Sequence, residues 1–272
     1  DPSPMVVGDT LFLYVSHASS PEDIADANER SSAGFFMYDW LLYSTTDMVN
    51  WTEHGAVASL KDFAWRSRDN GAWAIQTVTR NGKYYLYAPL HGHGIGVLVA
   101  DSPYGPFKDP LGKPLVWQRE HWEDIDPTVF IDDDGQAYLF VGQNTVCCVK
   151  LNEDMISYDG KVHIIEGVKD FFEAVWVHKR NGIYYLSYSD GPFHGHEPQI
   201  AYCTSRSPLG PYTYQGVILD PVNSGTNHAS IVNYKGADYL FYHTADLSMS
   251  IRPKYHCGVR RSICCDTLHY NA

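Results

Sequence analysis

The stretch that decides the fold reads Asn81-Gly82-Lys83-Tyr84-Tyr85-Leu86-Tyr87, and it returns as Asn181-Gly182-Ile183-Tyr184-Tyr185-Leu186. Asn-Gly adopts the positive φ angles of a tight turn between antiparallel strands, and the aromatic and aliphatic residues that follow favour β-structure. Turn glycines followed by Tyr-, Leu- or Phe-rich runs also occur at Gly8, Gly135 and Gly236. The repeat therefore predicts five β-hairpins.

The spacing of these hairpins predicts how they assemble. The turn glycines recur at roughly 50-residue intervals, with one longer interval between the first two, and this is the period of a propeller blade. A second strand pair follows each hairpin, as in residues 96–107 and 200–212, where Pro and Gly occupy matching positions. No segment supports a long helix. We therefore predict an all-β, five-bladed β-propeller with four-stranded antiparallel blades around a central axis, as one catalytic domain over residues 1–272.

Composition narrows the class of partner. The 272 residues carry a formal net charge of −12, which argues against nucleic acid because its binders display basic patches. No apolar run approaches the ~20 residues of a membrane span, so no membrane partner is expected. The 20 Tyr and 7 Trp suit both packing between sheets and binding of sugars. No leader-like segment precedes Asp1, and we expect a secreted, periplasmic or cell-surface location.

The six cysteines show no metal-binding spacing. Cys147-Cys148 and Cys264-Cys265 are adjacent pairs in strand-like runs, so each pair should direct one thiol to each face of its sheet. We expect buried thiols rather than disulfides.

Residues capable of chemistry stand at one repeat position. Seven to nine residues before the five turn glycines lie Asp1, Trp73, Asp126, Glu173 and His228. Because the first strand of every blade lines the axis of a propeller, we expect these side chains to converge at one mouth of the central channel.

Three gathered carboxylates suggest hydrolysis of a glycosidic bond. Burial and repulsion between like charges raise the pKa of some carboxyl groups, while hydrogen bonds keep others ionised. One group can then protonate a leaving oxygen while another activates water on the opposite face of the sugar. The third can orient the acid.

Each candidate also has a structural interpretation. Asp126 precedes Pro127 and could belong to a turn, and a lone histidine such as His228 is more often structural than catalytic. The acidic run Asp132-Asp133-Asp134-Gly135 lacks the spacing of a calcium loop and is predicted to be a solvated hairpin turn. Two histidine-containing segments are predicted to be loops rather than metal sites: His91-Gly92-His93 and His194-Gly195-His196-Glu197.

Several motifs together resemble glycoside hydrolase family 43, and the resemblance extends along the whole chain. They are Asp1-Pro2-Ser3-Pro4, Ser44-Thr45-Thr46-Asp47-Met48-Val49-Asn50-Trp51, Ile125-Asp126-Pro127-Thr128, Glu173-Ala174-Val175-Trp176 and Asn227-His228. That family is a five-bladed propeller that cleaves xylan- and arabinan-type polysaccharides with inversion at the anomeric carbon. The resemblance implies that Asp1 is the general base, Glu173 the general acid and Asp126 the residue that orients and tunes the acid.

The resemblance also implies the surroundings of the substrate. It places Trp73, His228 and Arg261 at the terminal sugar, and we add Phe35 and Ile125 to this predicted pocket. No cofactor is required, although some members hold an axial calcium ion near the histidine equivalent to His228. The expected substrates are arabinoxylan, arabinan or xylo-oligosaccharides.

Two departures from the family pattern affect the pocket. Proline is absent from Trp73-Ala74-Ile75-Gln76 and from Glu173-Ala174-Val175, where the family commonly has it. The choice between arabinofuranose and xylose should depend on loops such as residues 21–34 and 60–70. The alternatives are a propeller that binds carbohydrate without cleaving it and a family member that acts on galactan.

Overall fold

The computed structural model describes residues 1–19, 35–90, 93–118, 124–191, 197–251 and 260–271. These residues form 18 β-strands, one six-residue helix, α1 (Asp246–Ile251), and one 3-10 turn at Leu60–Asp62. None of the helical segments within these ranges is long and apolar enough to cross a membrane. The strands form five antiparallel sheets in chain order, which confirms the predicted five-bladed propeller.

The blades follow one another along the sequence. The strands of blade 1 are β1 (Pro2–Val7), β2 (Thr10–Ser16), β3 (Asp39–Thr45) and β4 (Thr52–Ser59). Those of blade 2 are β5 (Gln76–Arg80), β6 (Lys83–Pro89) and β7 (Ile95–Ala100). Those of blade 3 are β8 (Thr128–Ile131), β9 (Ala137–Val141), β10 (Cys147–Leu151) and β11 (His163–Ile164). Those of blade 4 are β12 (Glu173–Arg180), β13 (Ile183–Ser189), β14 (Ile200–Ser205) and β15 (Thr213–Leu219). Those of blade 5 are β16 (Ser230–Tyr234), β17 (Ala237–Thr244) and β18 (Ser262–Leu268).

The hairpin turns have the backbone geometry that the sequence predicts. Asn81 and Gly82 have φ angles of 52° and 74°, and Asn181 and Gly182 have 50° and 73°. Two consecutive positive φ angles define a type I′ turn, whose twist matches that of the flanking strands. These turns lie at one end of the propeller, which we call the hairpin face. The opposite end, where the first strand of each blade begins, is the entry face.

Apolar side chains pack between the blades. Each strand alternates its side chains between the two neighbouring blades, so one sheet contributes to two layers of the core. Cys147 packs between blades 2 and 3 and Cys148 between blades 3 and 4, as predicted for adjacent residues of one strand. The ring closes where blade 5 meets blade 1, and there the Tyr234 hydroxyl donates a 2.6 Å hydrogen bond to the carbonyl of Asp9.

Two predictions need correction. Blades 2 and 5 contain three strands each within the described ranges, although residues 108 and 116 bridge to β7 at the outer position of blade 2. The five described cysteines are free thiols, but only those of blades 3 and 4 are buried, and Cys265 is exposed. The reason is that β18 is the last strand of its sheet in this part of the chain, so its outer side lies open.

Candidate active site

The five predicted positions lie together at the entry face. Asp1 immediately precedes β1, Glu173 begins β12, and Asp126 and His228 lie two residues before β8 and β16. Trp73 lies three residues before β5. The three carboxylates and His228 are each at most 9% exposed. The repeat therefore gathers chemically active side chains in a buried space at one end of the axis.

Asp1 is held by donors from two blades. Its Oδ2 accepts a 2.8 Å hydrogen bond from the hydroxyl of Ser16, the last residue of β2, and a close hydrogen bond from Nη1 of Arg261. Both contacts stabilise negative charge on the carboxylate. Its other oxygen, Oδ1, lies 3.9 Å from Nδ1 of His228 and 3.7 Å from Nδ1 of His243.

Asp126 is linked to the backbone of the residue that follows Glu173. The amide of Ala174 donates a 2.8 Å hydrogen bond to Oδ2 of Asp126, which ties Asp126 to the residue after Glu173. Asp126 and Ala174 have φ angles of 52° and 62°, and a β-bulge interrupts β12 between Glu173 and Trp176. Positive φ is costly at Ala174, which carries a Cβ but no polar side chain to form a local hydrogen bond, and such strain is typical of functional sites.

Burial sets the protonation of this pair. Desolvation, followed by the charge of Glu173, raises the pKa of Asp126 to about 8. Desolvation also raises the pKa of Glu173, although a hydrogen bond from Gln143 and the charge of Arg261 oppose the rise. Because burial raises the pKa of both groups, the pair retains a proton at pH values where an exposed carboxyl group has lost it.

Gln143 fixes one oxygen of Glu173. Its Nε2 donates a 2.8 Å hydrogen bond to Oε2 of Glu173. Gln143 follows Gly142, whose φ of 138° and whose missing Cβ allow a turn in which the carbonyl of Thr145 comes within 1.9 Å of the ideal Cβ position. Because Oε2 is an acceptor, a proton on Glu173 is directed to Oε1.

The two histidines of the site are neutral. Burial lowers the pKa of both His228 and His243 well below the usual value. A neutral imidazole presents one donor and one acceptor nitrogen. These side chains therefore contribute hydrogen bonding without adding charge beside the carboxylates.

Arg261 is the cation of the site. Beyond its contact with Asp1, its Nη2 donates a 3.0 Å hydrogen bond to the hydroxyl of Thr226, and its guanidinium lies 5.5 Å from the ring centre of Phe35. Desolvation lowers its pKa to about 10, while Glu173 and Asp126 oppose this change. The Arg261 side chain thus points toward Asp1, and the ring contact places Phe35 beside it.

Trp73 and Ile125 lie at the entry face and are held by backbone hydrogen bonds. The carbonyl of Trp73 accepts a 2.7 Å hydrogen bond from the indole of Trp40, and its side chain packs against the core between blades 1 and 2. Ile125 is buried, and its carbonyl accepts a 3.0 Å bond from the amide of Gly142. Contact between their side chains and a sugar stays a prediction.

Sequence reasoning missed four residues of the site: Ser16, Gln143, Thr226 and His243. Three of them lie where a second strand of a blade reaches the entry face, at or near the ends of β2, β9 and β17. The signal that could have identified them is this position, because second strands end beside the beginnings of first strands. Their residue types alone carry no such information.

The predicted axial calcium stays a prediction. The donors nearest to His228 are Asp1 and Asp126, and both carboxylates already accept hydrogen bonds from the protein. Across the ranges that the structure describes, no three acidic, histidine or cysteine side chains are placed to hold a metal ion. These residues do not form a cage of protein ligands for calcium.

The acidic run at residues 132–135 lies on the hairpin face. Residues 132–135 form the turn between β8 and β9, as predicted, but the turn is not merely solvated. Lys179 contacts Asp132 at 2.6 Å and Asp133 at 2.7 Å, which ties the turn to blade 4. His91, the histidines at 194 and 196, and the loop at 21–34 lie outside the described residues.

The arrangement provides the parts for acid–base catalysis. Asp1, whose negative charge Arg261 stabilises, and the buried pair that retains a proton lie on either side of His228, whose Nδ1 is 3.9 Å from Oδ1 of Asp1 and 3.9 Å from Oδ2 of Asp126. A sugar bound between them would have a base on one side and an acid on the other, which is the requirement for displacement by water.

Comparison with known proteins relates this geometry to a family. Residues 1–272 match the model of the glycosyl hydrolases family 43. The chain is 35% identical to a xylosidase/arabinosidase from Bacteroides ovatus over 89% of this chain and 85% of that protein. It is similar to the structure of a beta-xylosidase/alpha-arabinofuranosidase from a compost microbial metagenome in complex with xylotriose, with TM-score 0.84, 33% identity and coverage of 100% of this chain and 91% of that chain. It is also similar to an alpha-L-arabinofuranosidase from Clostridium thermocellum, with TM-score 0.83, 39% identity and coverage of 100% and 90%.

Proposed function

The chain belongs to glycosyl hydrolase family 43, and from this premise we propose that it is an inverting glycosidase that releases pentose residues from arabinoxylan, arabinan or xylo-oligosaccharides. The released sugar is α-L-arabinofuranose or β-D-xylose. The proposed catalytic unit is one domain over residues 1–272, and the polymeric substrates favour a location outside the cytoplasm. The observation that carries the proposal is the buried pair of Asp126 and Glu173, joined through the amide of Ala174.

The proposed reaction is a single displacement. Asp1 accepts a proton from water as the water oxygen attacks the anomeric carbon, and Glu173 gives its proton to the departing glycosidic oxygen. Burial raises the pKa of Glu173 and so favours the protonated form that this step requires. Asp126, which accepts a hydrogen bond from the amide of Ala174, orients the acid. Arg261 holds Asp1 in its ionised form. His228 and Phe35 lie where they can contact the sugar hydroxyls and ring.

The burial of three carboxylates argues against a protein that only binds carbohydrate. Burying an ionisable group is costly unless it is neutralised or paired, and a binding surface needs no cluster of this kind. One relative, 34% identical over 84% of this chain and 71% of its own length, is named a beta-D-galactofuranosidase, so galactose-based substrates form the second candidate class.

The test combines cleavage and binding. We would measure release of 4-nitrophenol from the α-L-arabinofuranoside, the β-D-xylopyranoside and the β-D-galactofuranoside, and release of reducing sugar from arabinoxylan, arabinan and xylo-oligosaccharides. The proposal predicts turnover of at least one pentoside and of a matching natural substrate. Binding to the natural substrates without any release would contradict it, and activity restricted to the galactofuranoside would favour the second candidate.

The Glu173→Gln variant tests the role of the acid. We expect the loss of roughly 10²–10⁴-fold in kcat/KM on natural glycosides, because the departing oxygen is no longer protonated. On a 4-nitrophenyl or dinitrophenyl pentoside the loss should be much smaller, since that leaving group departs without a proton. Equal losses on both substrate types would contradict this role.

The Asp1→Asn variant tests the role of the base. Because water must be activated whatever the leaving group, turnover of both substrate types should fall by a similarly large factor. Circular dichroism and the melting temperature would serve as the control for folding. Retention of activity on the activated pentoside would show that another group accepts the proton from water.

A further inference from the structure

An exposed tryptophan lies on the entry face, the end of the propeller that carries the proposed active site. The side chain of Trp117 is 37% exposed. It follows Val116, which forms a β-bridge with Ile95, the first residue of β7. Because β7 starts at the end where β6 finishes and β5 begins, Trp117 lies on the same face as the carboxylates.

The indole is held in a fixed position. Its ring contacts the ring of His93 in a tilted arrangement, with centroids 5.4 Å apart and an angle of 32° between the planes. His93 in turn lies 3.2 Å from the hydroxyl of Ser67 through Nδ1. Gly94 has a φ of 85°, and a Cβ there would meet the carbonyl of Val116 at 2.2 Å. The close approach of the Gly94 and Val116 backbones and the contact with His93 thus restrict the orientation of the Trp117 indole in the absence of a ligand.

A hydrogen bond connects this indole to the segment that carries Asp126. The amide of Gln118, the residue after Trp117, donates a 2.6 Å bond to Oδ2 of the buried Asp124. Asp124 is two residues from Asp126, which corresponds to about 7 Å along an extended chain. Trp117 therefore lies within the reach of a short oligosaccharide whose terminal sugar occupies the site.

We propose that Trp117 forms a binding subsite for a xylose unit of the substrate beyond the cleaved bond. This inference rests on the proposed function and identifies where the remainder of the substrate binds. The apolar C–H face of a pyranose packs on a flat aromatic ring, while its equatorial hydroxyls stay hydrated. A rigid indole offers this surface with little loss of conformational entropy on binding.

A second tryptophan supplies a matched control. Trp51 is also 37% exposed, but it lies between β3 and β4 on the hairpin face, at the opposite end of the propeller. Substitution of Trp51 removes an exposed indole of equal accessibility without touching the entry face.

The experiment compares a short and a long substrate carrying the same pentose. The short substrate is the 4-nitrophenyl pentoside that the wild type cleaves. In the long substrate the same pentose is linked to xylotriose, which gives xylotetraose for xylose and arabinosyl-xylotriose for arabinose. For Trp117→Ala we expect the ratio of kcat/KM on the long to that on the short substrate to fall by about tenfold, equivalent to roughly 1.4 kcal/mol, mainly through KM. Trp117→Phe should restore part of the ratio, and Trp51→Ala should leave it unchanged.

The same measurements distinguish failure of the subsite from failure of the proposed function. An unchanged ratio for Trp117→Ala in a folded protein would overturn the subsite, as would an equal change for Trp51→Ala. If the wild type cleaves neither substrate, the proposed function fails rather than the subsite. In that case calorimetric titration with xylotetraose decides: weaker binding by Trp117→Ala than by Trp51→Ala supports the subsite, and equal binding overturns it.

Discussion

The three carboxylates of the entry face have different surroundings, and these differences support the roles proposed for them. Asp1 contacts a guanidinium and a hydroxyl, so its negative charge is stabilised. Glu173 and Asp126 are buried beside one another, so the pair retains a proton. This separation of proton affinities between neighbouring acidic groups is how one site supplies both an acid and a base.

Gln143 is expected to adjust the proton affinity of Glu173. Its hydrogen bond to Oε2 stabilises the ionised form and lowers the pKa of Glu173. The Gln143→Met variant lacks this hydrogen bond, so the pKa of Glu173 rises. The alkaline limb of the profile of kcat/KM against pH should therefore move to higher pH. The value of kcat should also fall, by roughly tenfold, because the acid is less well oriented.

A matched exchange controls for the loss of an amide. Gln215 lies on the outer strand β15, is exposed, and donates a hydrogen bond to the hydroxyl of Thr204 on β14. Gln215→Met should leave the pH profile as it is in the wild type. An alkaline limb that stays in place in Gln143→Met, or moves to lower pH, would contradict the assigned role of Gln143.

At the scale of strands and turns, local sequence was sufficient for the scaffold but not for the second layer of the site. The Asn-Gly turns and the aromatic runs after them carry their geometry in adjacent residues, and the hairpins follow directly. The repeat position then identified Asp1, Asp126 and Glu173. Ser16, Gln143, Thr226 and His243 were missed because their function depends on contacts with residues distant in the sequence, such as that between Gln143 and Glu173 across 30 residues.

Two glycines with positive φ should respond differently to alanine. At Gly82 a Cβ meets nothing within 4 Å, so only the backbone strain of the turn opposes it. We expect Gly82→Ala to lower the free energy of unfolding by about 1 kcal/mol and to leave activity unchanged. At Gly142 the added Cβ collides with the carbonyl of Thr145, so Gly142→Ala should destabilise more and displace Gln143.

Urea denaturation and pentoside turnover check this pair of variants. Activity of Gly142→Ala, measured well below its unfolding midpoint, should be reduced, whereas that of Gly82→Ala should equal that of the wild type. Equal destabilisation by the two substitutions, together with equal activity, would show that the turn after β9 does not position the acid.

At the scale of the whole molecule, the ring of blades buries ionisable side chains near its axis. Burial changes their pKa values, and the stability of the fold therefore depends on pH. The pKa of Asp126 rises from 3.8 to about 8 on folding because the ionised form is desolvated. The folded protein therefore holds this proton more tightly than the unfolded chain does. The associated stability is fully present below pH 3.8 and is lost as the pH rises to about 8.

Asp126→Asn removes this linkage. Asparagine does not ionise, and its oxygen can still accept the hydrogen bond from Ala174. The melting temperature of Asp126→Asn minus that of the wild type should therefore increase between pH 5 and pH 8.5. The corresponding difference in the free energy of unfolding grows by at most about 1.4 kcal/mol per pH unit. The exposed Asp134→Asn exchange controls for removal of a surface carboxylate. A difference in melting temperature that is constant or shrinks over this range would argue against a protonated Asp126.

The central claim is displacement by water across the mouth of the channel, with Asp1 and Glu173 on opposite sides of the sugar. The most direct test is proton NMR of the first sugar released from the preferred 4-nitrophenyl pentoside, recorded before mutarotation. The account predicts the opposite anomer to that of the substrate: α-D-xylose from a β-xyloside or β-L-arabinose from an α-arabinofuranoside. Initial release of the same anomer as in the substrate would contradict it.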